Sequence, residues 1–170
     1  MVRTRFSNGT LGRQVRLARS RAVRLVPANG NVDDLVAAVG RERNRAVHLL
    51  PADLGPEAPT GMWISTDRGE YIVFPADASS AERAAVICHE LAHMLLGHRP
   101  EAQVDQLSQM ATAVAPSIDP EVAQRFLHRH GYVEKVEAEA EYLATVLVTQ
   151  LARNSAANAV RRDAVSDRLR

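Results

Sequence analysis

Apolar side chains recur along this chain in two rhythms, at helical spacing over long stretches and as short continuous runs between them, which together predict helices around a small sheet. Leu11, Val15, Leu17, Ala18, Ala22 and Leu25 lie loosely on one side of a helix over residues 11–25 whose other positions are rich in arginine. Asn31, followed by Val32, Asp33 and Asp34, suits a helix cap, with Leu35, Val36 and Val39 as the buried positions of a helix that runs to about Arg43. Ala46 to Leu50 reads as a short strand stopped by Pro51, and Met62–Ser65 and Tyr71–Phe74 flank Asp67-Arg68-Gly69 as a hairpin. A buried helix follows: Ser79 and Glu82 form a capping box, Ala84 to Cys88 and Met94 to Leu96 surround it with apolar groups, and Gly97 ends it. Further on, helices are expected over Gln103–Ala115 and after the cap Asp119-Pro120-Glu121, the latter carrying Val122, Phe126 and Leu127. Val133, Val136, Ala140, Leu143, Ala144, Leu147, Val148 and Leu151 then fill one broad arc of a last helix.

A chain of 170 residues with 46% apolar but only 4% aromatic side chains suits one α+β domain, mostly helical, with a core of Ala, Val and Leu and a small antiparallel sheet. Residues 31–152 are read as that domain. Residues 1–30 form an arginine-rich N-terminal segment packed on or flanking it, and residues 153–170 an Ala-, Arg- and Asp-rich tail, possible as a loose helix. The arginine-rich start lacks the apolar segment of a secretory signal, no apolar run reaches membrane-spanning length, and the only cysteine, Cys88, has no internal partner. These features lead to an expectation of a cytoplasmic protein with no membrane partner. The net charge of +1 hides a segregation: residues 1–24 hold seven arginines and no acid. That segment could dock an acidic partner or make weak nucleic-acid contact; only Phe6 interleaves with its arginines, which argues against single-strand binding, and nucleic acid is not expected as a direct substrate.

Chemistry enters at His89-Glu90-Leu91-Ala92-His93, an HExxH motif inside the buried helix. Four residues apart, the two imidazoles share one helical face and can reach one zinc ion at about 2.0–2.1 Å, while Glu90, about 100° around the helix, can take a proton from an activated water. A buried imidazole–carboxylate group is costly unless paired or bound to metal. Cys88 points off another side of the helix and reads as an inert thiol.

Catalytic zinc needs a third protein ligand and one open position. A metzincin spacing fails, because Leu96 and Arg99 stand where Gly and His are needed. His98 is one candidate, although it follows the helix-ending Gly97. The other candidates are glutamates of the last helix. Glu137 falls inside its apolar arc beside the small Ala140 and Ala144; Glu139 lies at the border and is the alternative ligand; Glu134 belongs to the polar face; Glu141, one turn beyond Glu137, suits an outer role, accepting the free ring N–H of a ligating histidine. His128, His130 and Tyr132 are candidate oxyanion donors.

The strand pair, the run AERAAVICHELAHMLLGH and the later EAEAEYLATVL together resemble the ImmA/IrrE family of metallopeptidases, over roughly Val32 to Leu151. The family's second motif, E-x-x-[AC]-[ND]-x-[F]-A, falls on Glu137, Ala140, Glu141, Leu143 and Ala144, with Glu141 where Asn or Asp is usual and Val148-Thr149-Gln150 in place of Leu-Met-Pro. The resemblance implies a gluzincin-like zinc protease domain over 31–152, with Zn2+ as cofactor. It also implies site-specific cleavage of a helix-turn-helix transcriptional repressor and substrate backbone added alongside the active-site strand. A regulatory or toxin–antitoxin-type binding protein on a zinc-peptidase scaffold is the alternative from another class.

Overall fold

The computed structural model describes residues 12–54, 59–99, 102–103 and 133–167. In chain order these form α1 (Arg13–Leu25), α2 (Val32–Arg43), β1 (Val47–Ala52), β2 (Met62–Ser65), β3 (Glu70–Pro75), α3 (Ser80–Leu96), β4 (Ala102–Gln103) and α4 (Val133–Asp167). Most of the second expected helix pair lies outside the described residues. At its first position, Gln103, the structure holds strand rather than helix, in register with Ser65.

Helix boundaries follow from cap chemistry. Asn31 Oδ1 accepts from the Asp33 and Asp34 amides at 2.8 and 3.1 Å, and the Asn31 amide donates back to Asp34 Oδ2 at 2.9 Å, so α2 starts with a reciprocal box. It ends at Asn44, which takes the left-handed conformation (φ +53°) that Asn tolerates. The Ser79–Glu82 box at the head of α3 has the same form. There hydrogen bonds from Ser79, its hydroxyl first and its backbone amide second, hold the Glu82 carboxyl below its usual range.

The sheet is mixed, not antiparallel as expected, with strand order β1-β3-β2-β4. The β2–β3 hairpin places β3 between its partner and β1, so β3 runs antiparallel to β2 and parallel to β1, while β4 pairs parallel with β2. β1 also continues through Pro51, which pairs with Phe74. As β1 is an edge strand, the missing N–H does not break the ladder. Both faces of the sheet are covered. Trp63 and Ile72, neighbours in register, join the main core with the helices, whereas Met62, Ile64 and Val73 join Ala52 in a smaller cluster on the other face. That explains why these strands read as continuous apolar runs without alternation.

The main core is helical. Ile87, Cys88, Leu91 and Met94 of α3 pack in one cluster with Leu35 and Val39 of α2 and Ala140, Leu143, Leu147 and Leu151 of α4. α1 contributes Ala18 and Ala22 to it and also buries Val15, but Leu17, expected on the same side, is 61% exposed. Its position faces away because the buried stripe of α1 is only one residue wide per turn. α4 runs unbroken past residue 152, and beyond it Asn154 and Asn158 donate to the Pro27 and Ala28 carbonyls at 2.8 and 3.0 Å. No described helix is long and apolar enough to cross a membrane.

Candidate metal centre

α3 and α4 bring three side chains to one point. Cap boxes and the core fix the rotation of α3, so His89 and His93 face α4; the apolar arc of α4 fixes Glu137 toward them. His93 Nε2 lies 3.0 Å from His89 Nε2, and Glu137 Oε2 lies 3.2 Å from His89 Nε2 and 3.5 Å from His93 Nε2. A tetrahedral ion with bonds of about 2.0–2.1 Å spaces its ligand atoms about 3.3–3.4 Å apart. The triangle therefore has the size that one metal ion needs, and these three residues could hold it.

The electrostatics agree with the geometry. Glu141 Oε2 stands 3.6 Å from His89 Nδ1, on the side away from the triangle, and favours a proton there, leaving Nε2 as a lone pair. His93 is buried, and burial, then the neighbouring His89 and His98, pulls its pKa down to about 3, so its imidazole is neutral, the form that binds metal. Two ring nitrogens and a carboxylate oxygen thus converge with their electron pairs inward, an arrangement that a cation stabilises. His93 is 6% exposed, while the Glu137 side chain is 45% exposed, so the triangle opens toward solvent on the α4 side.

Glu90, next to His89 on the same helix, is 3% exposed. Its carboxylate stands against the entry to β2: a Cβ on Gly61 would lie 3.1 Å from Glu90 Oε1 and 2.3 Å from Val86 Cγ1. Sequence reasoning passed over Gly61, which is hidden in a Pro- and Gly-rich loop where glycine carries no special signal. It also missed the place of His98. The αL turn at Gly97 (φ +72°) folds the chain back, so His98 touches the outer ring nitrogen of His93, Nδ1 to Nδ1 at 3.0 Å, and is not at the triangle. Glu139, the alternative ligand, is likewise apart from the triangle and faces His98 Nε2 at 3.7 Å and Lys135 at 3.9 Å. His128, His130 and Tyr132 lie outside the described residues. Cys88 is fully buried and its thiol is pushed up to about 12 by that burial, as an inert core group would be.

A further network fastens α3 to the sheet. Buried Glu70 accepts from Trp63 Nε1 at 2.7 Å and pairs with Arg45 Nε at 2.8 Å and Arg43 Nη2 at 3.6 Å. Arg43 Nη1 in turn donates to the Met94 carbonyl at 2.9 Å, one residue past His93.

No curated protein and no solved structure matches the chain. One family does, over the sheet and the HExxH helix; α4 with Glu137 lies beyond the matched residues. Residues 43–114 match the family model described as Peptidase_M78, the IrrE N-terminal-like domain, so this segment is similar to the ImmA/IrrE metallopeptidases.

Proposed function

We propose that the protein is a zinc-dependent endopeptidase in which His89, His93 and Glu137 hold the ion and Glu90 is the general base. The observation that carries this reading is the 3.0, 3.2 and 3.5 Å triangle of donor atoms, drawn from two helices and set beside a buried carboxylate. Bound zinc would supply Lewis acidity, lowering the pKa of water and polarising the scissile carbonyl. The chain's own groups do the rest. Glu90 takes a proton from the attacking water as its oxygen bonds to the scissile carbonyl carbon, and then delivers that proton to the leaving nitrogen as the C–N bond breaks. Desolvation on the α3 side, where Glu90 and His93 are buried, strengthens each of these interactions, while the half-exposed Glu137 is the side from which a substrate would approach. Glu137 would be the third protein ligand, leaving the fourth position of the ion for water.

Family resemblance supports a helix-turn-helix repressor as the substrate, cut at a specific bond. The test is to load wild type and Glu90→Gln with one equivalent of zinc and incubate each with a helix-turn-helix repressor, taken from the neighbouring reading frames where one is encoded, and with a mixed peptide library, reading products by mass spectrometry. Wild type should cleave, and Glu90→Gln should hold the same zinc and cleave at a rate lower by a factor of about 100 or more. Equal cleavage by both proteins would remove Glu90 as the base. A zinc-loaded wild type that cuts nothing would favour the binding-scaffold reading.

A further inference from the structure

The end of α3 is built in a way that the proposed catalysis does not require. Gly97 N–H donates to the Met94 carbonyl at 3.3 Å and His98 N–H to the His93 carbonyl at 3.0 Å, the pair of bonds that defines a Schellman turn. Most such turns place an apolar residue after the glycine, packed back on the helix. Here that place is taken by histidine, and its ring is 11% exposed. Its Nδ1 lies 3.0 Å from His93 Nδ1, and the two rings meet edge to face with centroids 5.0 Å apart.

Two Nδ1 atoms at that distance share one proton, so one ring donates and the other accepts. The far side of His98 decides which. Its Nε2 faces the Glu139 carboxylate at 3.7 Å, within ion-pair reach, and a carboxylate there favours a proton on His98 Nε2. His98 Nδ1 is then a lone pair, His93 Nδ1–H donates to it, and His93 Nε2 is left bare toward His89 and Glu137. Glu141 performs the same office for His89 from the other direction.

We infer that His98, oriented by Glu139, is a positioning residue that fixes the tautomer and ring orientation of His93 through an Nδ1–H to Nδ1 hydrogen bond. The inference rests on His93 being a metal ligand, as proposed above. It assigns a role to the histidine that follows the HExxH helix and to the glutamate that stands two residues after Glu137. Outer partners of this kind usually matter 10–100-fold in metal affinity.

The experiment compares zinc affinity of the full-length protein, by competition with a chromophoric chelator, for wild type, His98→Leu, His98→Asn and Glu139→Ala. Leu removes the acceptor and keeps bulk; Asn restores an acceptor oxygen near the Nδ1 position. His98→Leu should bind zinc about 10–100-fold more weakly and His98→Asn should recover most of the loss. In parallel, 15N NMR of histidine-labelled metal-free protein should show His93 as the Nδ1–H tautomer in wild type and His98→Asn, and as a mixture in His98→Leu. Unchanged affinity in His98→Leu, or equal loss in both His98 variants, overturns the inference, the second because it shows packing alone. If His98→Leu does not fold, Glu139→Ala carries the test, and an unshifted affinity and tautomer there also overturn it. A wild type that takes up no zinc would instead overturn the functional reading, and this inference with it.

Discussion

Trp63 donates its indole N–H to Glu70 Oε2 at 2.7 Å across the β2–β3 hairpin, with both side chains buried. The same carboxylate pairs with Arg43 and Arg45, so one acid serves three donors from α2, β2 and the turn into β1. Arg45 Nε is close without being aligned for a hydrogen bond, and Arg45 Nη2 donates to the Thr66 carbonyl. Glu70→Ala should therefore destabilise the protein by about 3 kcal/mol, because it leaves an indole N–H and two cations without their acceptor. Glu70→Gln, which keeps one acceptor oxygen, should cost less. Urea unfolding of the two variants beside wild type checks both the size and the order.

The contact of Gly61 bears on the proposed base, Glu90. A methyl group there would overlap Val86 and press on Glu90 Oε1, so Gly61→Ala must shift the α3 side chains or the strand entry. We expect a cost of about 1–3 kcal/mol in stability, and a fall of about tenfold or more in kcat/KM from displacement of the base. Zinc content should stay at the wild-type level, since neither histidine is touched. Wild-type kcat/KM in a Gly61→Ala protein with normal zinc would show that the position of Glu90 does not depend on this contact.

Glu137 and Glu139 should separate cleanly by metal analysis. Glu137→Ala removes a proposed ligand and should weaken zinc retention by more than the roughly 10–100-fold that loss of an outer partner produces. Glu139→Ala should show only that smaller effect. Comparable losses in the two variants, measured by dialysis against chelator and elemental analysis, would remove the distinction drawn from the 3.2 and 3.7 Å contacts.

The buried His93 sets a pH dependence whose sign is fixed. Its pKa is about 3 in the folded metal-free protein, lowered from 6.5 first by burial and then by His89 and His98. Between those values the unfolded chain binds a proton that the folded one does not, so stability is full above about pH 6.5 and falls as the pH is lowered toward 3. The slope from this group is at most about 1.4 kcal/mol per pH unit. His98, also lowered chiefly by burial, acts in the same direction. The urea midpoint of metal-free protein should drop between pH 7 and pH 5, and His93→Gln should flatten that drop; equal slopes would show that His93 is not held neutral by the fold.

Much of this site was legible because its signals are local. The Asn31 and Ser79 boxes, the stop at Gly97 and the four-residue histidine spacing are each decided within one or two helical turns. Glu137 was legible one step further, since the arc of α4 is periodic and the glutamate interrupts it. What escaped was decided by chain segments meeting from a distance. The parallel pairing of β1 with β3 depends on which strand the hairpin brings between the others, and no residue of β1 encodes that choice. His98 escaped for another reason: helical geometry stops at Gly97, and only the left-handed turn there returns the ring to His93. Similarly, the composition of the segment after Leu151 gives no hint that Asn154 and Asn158 bind the backbone of the α1–α2 connection.

Because α4 continues without a break from Glu137 to those two asparagines, the carboxylate has no hinge of its own. About 17 residues of helix separate Glu137 from Asn154, roughly 25 Å at 1.5 Å per residue, and this stretch is seated by Ala140, Leu143, Leu147 and Leu151 in the main core and by amide ties to Pro27 and Ala28. The accuracy of one oxygen at the mouth of the site is in this way a collective property of the bundle. A core substitution far from any chemistry, such as one at Leu151, should misaim the proposed ligand before it unfolds the protein.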